Sequence, residues 1–350
     1  MTNFPEPLLF DTYMRPQIWG GDRLPRLLGM PPVGESSPGE NPLSTKPIPF
    51  GEAWVLSTLP EHFSRVTSGT SRGETLAELW DHSRSELFGS DGASAEFPWL
   101  VKWLDCHDDL SLQVHPDDTA AQSMLGQSHG KSEAWVVVSV EPNARICTGL
   151  IPGVTRPQFE SHLVAGTVDE CLNSFEPRVG DCLSLPAGTV HTARGVLLAE
   201  IQQPSDTTFR LFDWDRRDHT GRPRPLHREL GLNVVDWQQG PIAPVIATPK
   251  RLVASGVVGE VLLETDWVRL ERFTMSRTWT AMVTGELTAW MVLAGNAQLF
   301  DLANDTRHEL PRGATVLIPA GVGEIEWSPM RNDENCTLLC ISQPRDGRSR

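Results

Sequence analysis

The sequence predicts a mainly β fold built as two related β-barrels, the second degenerate, with a few helices. Three observations carry that expectation. Short apolar or alternating segments recur between turn residues (DLSLQVH, SEAWVVVSV, DCLSLPAG, GVLLAEIQ), as strands of a sandwich or barrel do. The 29 glycines and 28 prolines in 350 residues supply the turns such a fold needs. Two segments also repeat in the same order at long range. EAWVVVSVEPNARI from Glu133 resembles TAWMVLAGNAQL from Thr288, and GDCLSLPAGTVH from Gly180 resembles GATVLIPAGVGE from Gly313.

In chain order, the N-terminal stretch lacks the basic start and apolar run of a signal peptide, and no segment is long and apolar enough to span a bilayer. The expectation is a cytoplasmic protein. Residues 31–48, rich in Pro, Gly and Ser, read as an exposed loop. PDDTAAQSML and TRPQFESHLVAGTVDECLNSF read as helices, each with a proline near its start. The repeat places a junction near GLNVVDWQQGPIAP. Residues 1–236 are therefore expected to form one domain, with N-terminal elements and a small helical insertion, and 237–350 the degenerate second.

A net charge of −15 disfavours nucleic acid and anionic membrane as partners, since both require a basic footprint. The six cysteines show no CxxC pair or dense spacing, so they read as reduced, buried thiols without assigned chemistry.

Strand parity locates the polar chemistry. Side chains two apart share a face, so DLSLQVH places Ser111, Gln113 and His115 on one side and Leu110, Leu112 and Val114 on the other. GKSEAWVVV likewise puts Lys131 with Glu133, while Ala134, Val136 and Val138 face away. The run from Gly180 to His191 has the form G, five residues, P, any, G, two residues, H, and resembles the second motif of cupins, a superfamily of small jelly-roll barrels. Gln113, His115, Glu133 and His191 would then converge as a metal set of two nitrogens and two oxygens with positions left open, suited to Zn2+ and admitting Mn2+, Fe2+, Co2+ or Ni2+. The second copy has Thr288 and Glu324 where the first has Glu133 and His191, so the metal site belongs to the first.

Beyond that motif, an ordered run of phrases over residues 10–220 resembles type I mannose-6-phosphate isomerases (phosphomannose isomerases). It comprises WGG from Trp19, GEAWVLS from Gly51, FPWLVKWLD, DLSLQVHPDD, GKSEAW, PAGTVH and AEIQQPSDTTFRLFDWDR. The shorter bacterial type is the better match, because the chain lacks a long helical insertion and has Ala193 where some members place a tyrosine. The resemblance implies reversible isomerisation of mannose 6-phosphate and fructose 6-phosphate with one zinc ion held by the four ligands above. It also implies an active-site arginine at Arg210, phosphate-binding or proton-transfer positions at Ser111 and Lys131, a base at Glu200, and pocket positions at Trp19 and Lys102.

The chemistry agrees with that implication. Aldose–ketose conversion needs a proton taken from carbon and an anionic oxygen stabilised, which a metal and a nearby base supply. Glu200, a carboxylate in the apolar GVLLAEIQ, is the first candidate base and Lys131 the second. Arg210 offers a planar fork for phosphate. Two other classes share part of this pattern: a mononuclear Fe2+ cupin oxygenase and an inactive sugar-phosphate-binding protein. Gln113 with Lys131 and Arg210 argues against the first, and the intact ligand set against the second. A monomer or homodimer is expected. Trp135, Trp214 and Trp290 read as core, and His107, His129 and His162 stay outside the site.

Overall fold

The computed structural model describes residues 5–30, 49–89, 96–218, 220–250, 254–282, 285–331 and 333–344. The loop expected over 31–48 lies outside them. The chain is mainly β, and no helix among the described residues is long and apolar enough to cross a membrane. It divides into two compact units: residues 14–54 with 99–244, and residues 1–13 and 55–98 with 245–350. The segment expected from residue 237 onward thus falls mostly in a unit that also takes in two N-terminal stretches.

The first unit is built on a nine-stranded sheet. Its main run is Cys182–Leu185, Glu133–Leu150, His191–Gln202, Leu100–Cys106, Phe50–Leu56 and Tyr13–Gly21. Off that run, Leu112–Val114 pairs with both His191–Gln202 and Phe209–Phe212, and Leu172–Phe175 pairs with Glu133–Leu150. Glycines permit the closest approaches. A Cβ on Gly20 would lie 2.3 Å from the Phe50 backbone, and one on Gly51 2.6 Å from the Trp19 ring. In the PAG turn, Gly188 takes φ 85°, which favours glycine, and so brings His191 to the start of its strand. An apolar cluster that includes Leu104, Trp135, Val137, Leu185 and Leu198 packs on this sheet. A second cluster, including Leu112, Cys147, Phe159, Leu163, Phe209 and Leu232, seats the helices Arg156–Ala165 and Arg228–Val234.

The two expected helices turn out differently. PDDTAAQSML contains the helix Asp118–Leu125, capped by Asp117, whose carboxylate accepts from the Ala120 N–H at 2.7 Å. The second stretch is helical only over Arg156–Ala165. Gly166 ends it in the left-handed conformation (φ 73°), and a 3-10 turn (Val168–Cys171) and a strand (Leu172–Phe175) follow.

The other unit is a sandwich. Its seven-stranded sheet has Thr315–Ile318, Thr288–Ala294, Cys336–Ser342 and Arg269–Met275 at its middle, and its four-stranded sheet contains Ala297–Asp301 and Glu324–Pro329. Trp290 of the first sheet meets Trp327 of the second with ring centroids 5.1 Å apart. The sequence repeat is a repeat of register. Leu185 pairs with Glu133 as Ile318 pairs with Thr288, and Gln202 pairs with Glu133 as Ser342 pairs with Thr288. All six cysteines are free and buried. Trp135 and Trp290 are core as expected, whereas Trp214 is half-buried in a left-handed turn (φ 55°) after the strand Phe209–Phe212.

Candidate metal centre and adjoining cavity

Sheet register brings the four proposed ligands together from three segments. Gln113 is the cross-strand partner of His191, Arg210 that of Gln113, and Glu133 opens the strand beside them. His115, Glu133 and His191 are buried, and one ligand atom from each lies within 4.8 Å of the others. Nε2 of His191 stands 3.0 Å from Oε1 of Glu133, and Nε2 of His115 stands 3.5 Å from Oε2. The Gln113 amide lies 3.1 Å from the same His191 nitrogen.

The hydrogen-bond pattern states what this cluster needs. Nδ1 of His115 donates to the Thr207 carbonyl and Nδ1 of His191 to that of Thr189, both at 2.9 Å. In the neutral tautomer that this pattern selects, each ring turns a lone pair on Nε2 toward Glu133. Burial and the neighbouring Lys131 ammonium hold the His115 imidazolium pKa well below its usual value, which keeps that ring neutral. Burial would raise the Glu133 carboxyl, but the Lys131 ammonium, foremost among the opposing groups, holds it well below the carboxylate range. Lys131 contacts Oε2, whereas the buried Oε1 has no hydrogen-bond donor among the described residues. A lone pair and a carboxylate oxygen facing each other at 3.0 Å are two acceptors without a proton between them. A cation resolves that conflict, so the residues fit a divalent metal.

Lys131 and Gln113 lead from the cluster into a cavity of ≈ 230 Å³ that Glu200, Ser111, Trp19, Lys102 and Arg210 also line. Every residue expected at the site is therefore in the cluster or on the cavity wall. Lys102, Glu200 and Trp135 form one cross-strand row. Oε2 of Glu200 accepts from the Trp135 indole at 2.9 Å, and Oε1 lies 3.6 Å from the Lys102 ammonium. Burial raises the Glu200 carboxyl pKa, with Glu133 adding to it and Lys131, Lys102 and the indole opposing. Burial would lower the Lys102 pKa, but Asp206, Glu52 and Glu200 raise it above the ordinary amine value. Arg210 donates to the Pro225 carbonyl at 2.8 Å, while its buried Nε has no partner among the described residues. Burial and then Arg224 push its pKa down to about 10, so it stays charged at neutral pH.

The catalytic-domain model of type I phosphomannose isomerase matches residues 9–134. The mannose-6-phosphate isomerase of Streptococcus mutans is 32% identical over 315 residues, 90% of this chain and 92% of the relative. The chain belongs to the type I phosphomannose isomerase family. ManA of Bacillus subtilis, also named a mannose-6-phosphate isomerase, is 30% identical across 92% of this chain and 95% of its own. A crystal structure of the Bacillus subtilis mannose 6-phosphate isomerase shares the fold with a TM-score of 0.83 at 26% identity, covering 96% of this chain and 99% of that one.

The cavity wall also includes Arg15, Glu52, Asp206 and Arg224, which are not among the residues expected at the site. Glu52 carried a usable signal, a carboxylate inside the apolar strand Phe50–Leu56, of the same kind that marked Glu200. Asp206 sits in the SDTTFR phrase. Arg15 and Arg224 carry no comparable mark, because only the fold brings them to the cavity.

Proposed function

We propose that this chain is a metal-dependent aldose–ketose isomerase interconverting mannose 6-phosphate and fructose 6-phosphate. The observation that carries the proposal is the orphaned Oε1 of Glu133 facing the His191 lone pair, one step from a cavity holding the buried Glu200 carboxylate. The relatives from Streptococcus mutans and Bacillus subtilis, named as mannose-6-phosphate isomerases, supply the substrate.

Gln113, His115, Glu133 and His191 would hold one Zn2+, and their nitrogen–oxygen set also suits Mn2+, Fe2+, Co2+ or Ni2+. Such an ion supplies Lewis acidity toward the carbonyl and the neighbouring hydroxyl of the open-chain sugar. The protein supplies the rest. Glu200 takes the proton from C2 of the aldose, giving an enediol(ate), and returns it to C1, while the O2 proton passes to O1, which yields the ketose. Lys131 is the second candidate for that transfer.

Charge distribution orients the phosphate. Lys102 and Arg15 are surrounded by Glu52, Asp206 and Glu200, whereas Arg210, Arg216 and Arg224 share, among the described residues, Asp213 alone as a close carboxylate. The phosphate therefore belongs at the Arg210 and Arg224 end, with Ser111 as a hydroxyl partner, Trp19 as a wall and Lys102 beside the sugar hydroxyls.

The test is formation of fructose 6-phosphate from mannose 6-phosphate by protein loaded in turn with Zn2+, Mn2+ and Co2+. Conversion that disappears on chelation is expected. Neither conversion nor sugar-phosphate binding with any of the three would remove this reading.

A further inference from the structure

Arg15 reaches the cavity because it alternates with Gln17 and Trp19 on the strand Tyr13–Gly21, and all three line the cavity wall. Its Nη1 stands 2.9 Å from Oδ2 of Asp206 and 3.2 Å from Oε2 of Glu52. Its guanidinium carbon lies 4.6 Å from the centre of the Trp54 ring. The Lys102 ammonium uses the same three partners. It lies 3.2 Å from Oδ1 of Asp206, 3.7 Å from Glu52, and 4.8 Å from the centre of the Trp54 ring. Trp54 is itself fixed, because its indole N–H donates to Glu52 at 2.8 Å, and Gln17 donates to the other Glu52 oxygen at 2.7 Å.

Two cations thus share two carboxylates and one aromatic ring, and Lys102 goes on to touch Glu200. From this geometry we infer that Arg15 is a positioning residue for the reaction: through Asp206 and Glu52 it fixes where Lys102 stands beside Glu200. The inference rests on the isomerase reading above.

Charge arithmetic shows why one cation does not suffice. Lys102 alone would leave three carboxylates, Glu52, Asp206 and Glu200, around a single ammonium, and Asp206 would compete with Glu200 for it. Arg15 takes up one oxygen of Asp206 and one of Glu52. Lys102 is thereby left shared, at 3.6 Å from Glu200, instead of collapsing onto Asp206. The charged groups acting on Asp206 are Arg15 from Tyr13–Gly21, Lys102 from Leu100–Cys106 and Lys131 from the segment before Glu133. Burial opposes its ionisation, while Lys102 and Arg15 hold its pKa below the ordinary value.

The experiment compares full-length wild type with Arg15→Gln and Arg15→Lys, each metal-loaded and checked for metal content and thermal midpoint. Initial rates on mannose 6-phosphate are measured across pH. Without Arg15 the Lys102 ammonium settles on Asp206 and withdraws from Glu200, which loses an opposing charge, so its pKa rises. In Arg15→Gln the acid limb of kcat/KM should therefore move up by about one pH unit and kcat should fall roughly 10-fold, with metal content unchanged. Arg15→Lys should return the limb to its wild-type position. An unmoved limb in Arg15→Gln overturns the inference whatever the loss of rate, because a purely structural arginine would lower stability without moving that limb. If Arg15→Gln does not fold, a limb displaced in Arg15→Lys by as much as half a unit also overturns it. Failure of the wild type to convert mannose 6-phosphate would instead count against the isomerase reading.

Discussion

Glu200 and Lys102 are directly opposite one another on neighbouring strands, both buried, with carboxylate oxygen and ammonium 3.6 Å apart. This pair places a carboxyl of raised pKa, the proposed base, beside a cation that is itself held by other carboxylates. Glu200→Gln is expected to keep its metal and fold while kcat falls by about 10²–10⁴-fold. In the wild type, rate should decline as pH falls through the Glu200 pKa, because the carboxylate must be ionised to accept a proton. Wild-type turnover by Glu200→Gln would pass the role to Lys131.

His191→Ala removes one of the two lone pairs directed at Glu133. Metal content measured by elemental analysis should fall to a small fraction of one ion per chain. The thermal midpoint should lose its response to chelator, since an ion that binds only the folded state stabilises it by mass action. Full metal occupancy in this variant would mean that the ion sits elsewhere.

Asp213 offers a test of stability that does not involve the metal. Burial would raise its pKa, but Arg224 and Arg216 donate to it and hold it below the ordinary value. A depressed carboxyl stabilises the fold above its unfolded pKa and loses that contribution as pH falls through the folded one. Asp213→Asn should therefore cost about 2 kcal/mol at pH 7. Comparing thermal midpoints at pH 7 and at pH 3 should show the deficit shrinking in acid. An equal deficit at both would assign the loss to packing.

A cut after residue 236 should not leave an intact protein. Leu8 and Leu9 pair with Leu317 and Val316, and the Leu87 carbonyl accepts from the Ala320 N–H at 2.9 Å. Removing the C-terminal stretch strips residues 5–13 and 55–89 of these partners and exposes an edge. The fragment should aggregate or melt without a cooperative transition. A sharply melting, metal-binding fragment would show that these contacts are dispensable.

Much of the site was legible because it rests on a period of two. Alternation along DLSLQVH and GKSEAW puts Gln113 with His115 and Lys131 with Glu133, although only Leu112–Val114 and the run from Glu133 are strand. The glycine–proline spacing then supplies His191. Arg15, Glu52, Asp206 and Arg224 were not legible in that way, since each reaches the cavity through strand order, which periodicity does not encode. The helix over-read beyond Ala165 shows the converse. Gly166, a stop signal in plain sequence, ends the helix there. The helix Leu76–Phe88 was overlooked despite a Thr75–Glu78 capping box in plain sequence.

The order of strands in the nine-stranded sheet has a consequence for how the chain is made. His191–Gln202 lies between Glu133–Leu150 and Leu100–Cys106, and so leaves the ribosome after both of its neighbours. Until it emerges, the preceding residues of the nascent chain have no central strand to join them, and His191, the last of the proposed ligands, is absent. Sheet closure and completion of the metal set are therefore one late event in synthesis, and the high sequence separation of these pairings makes it slow as well.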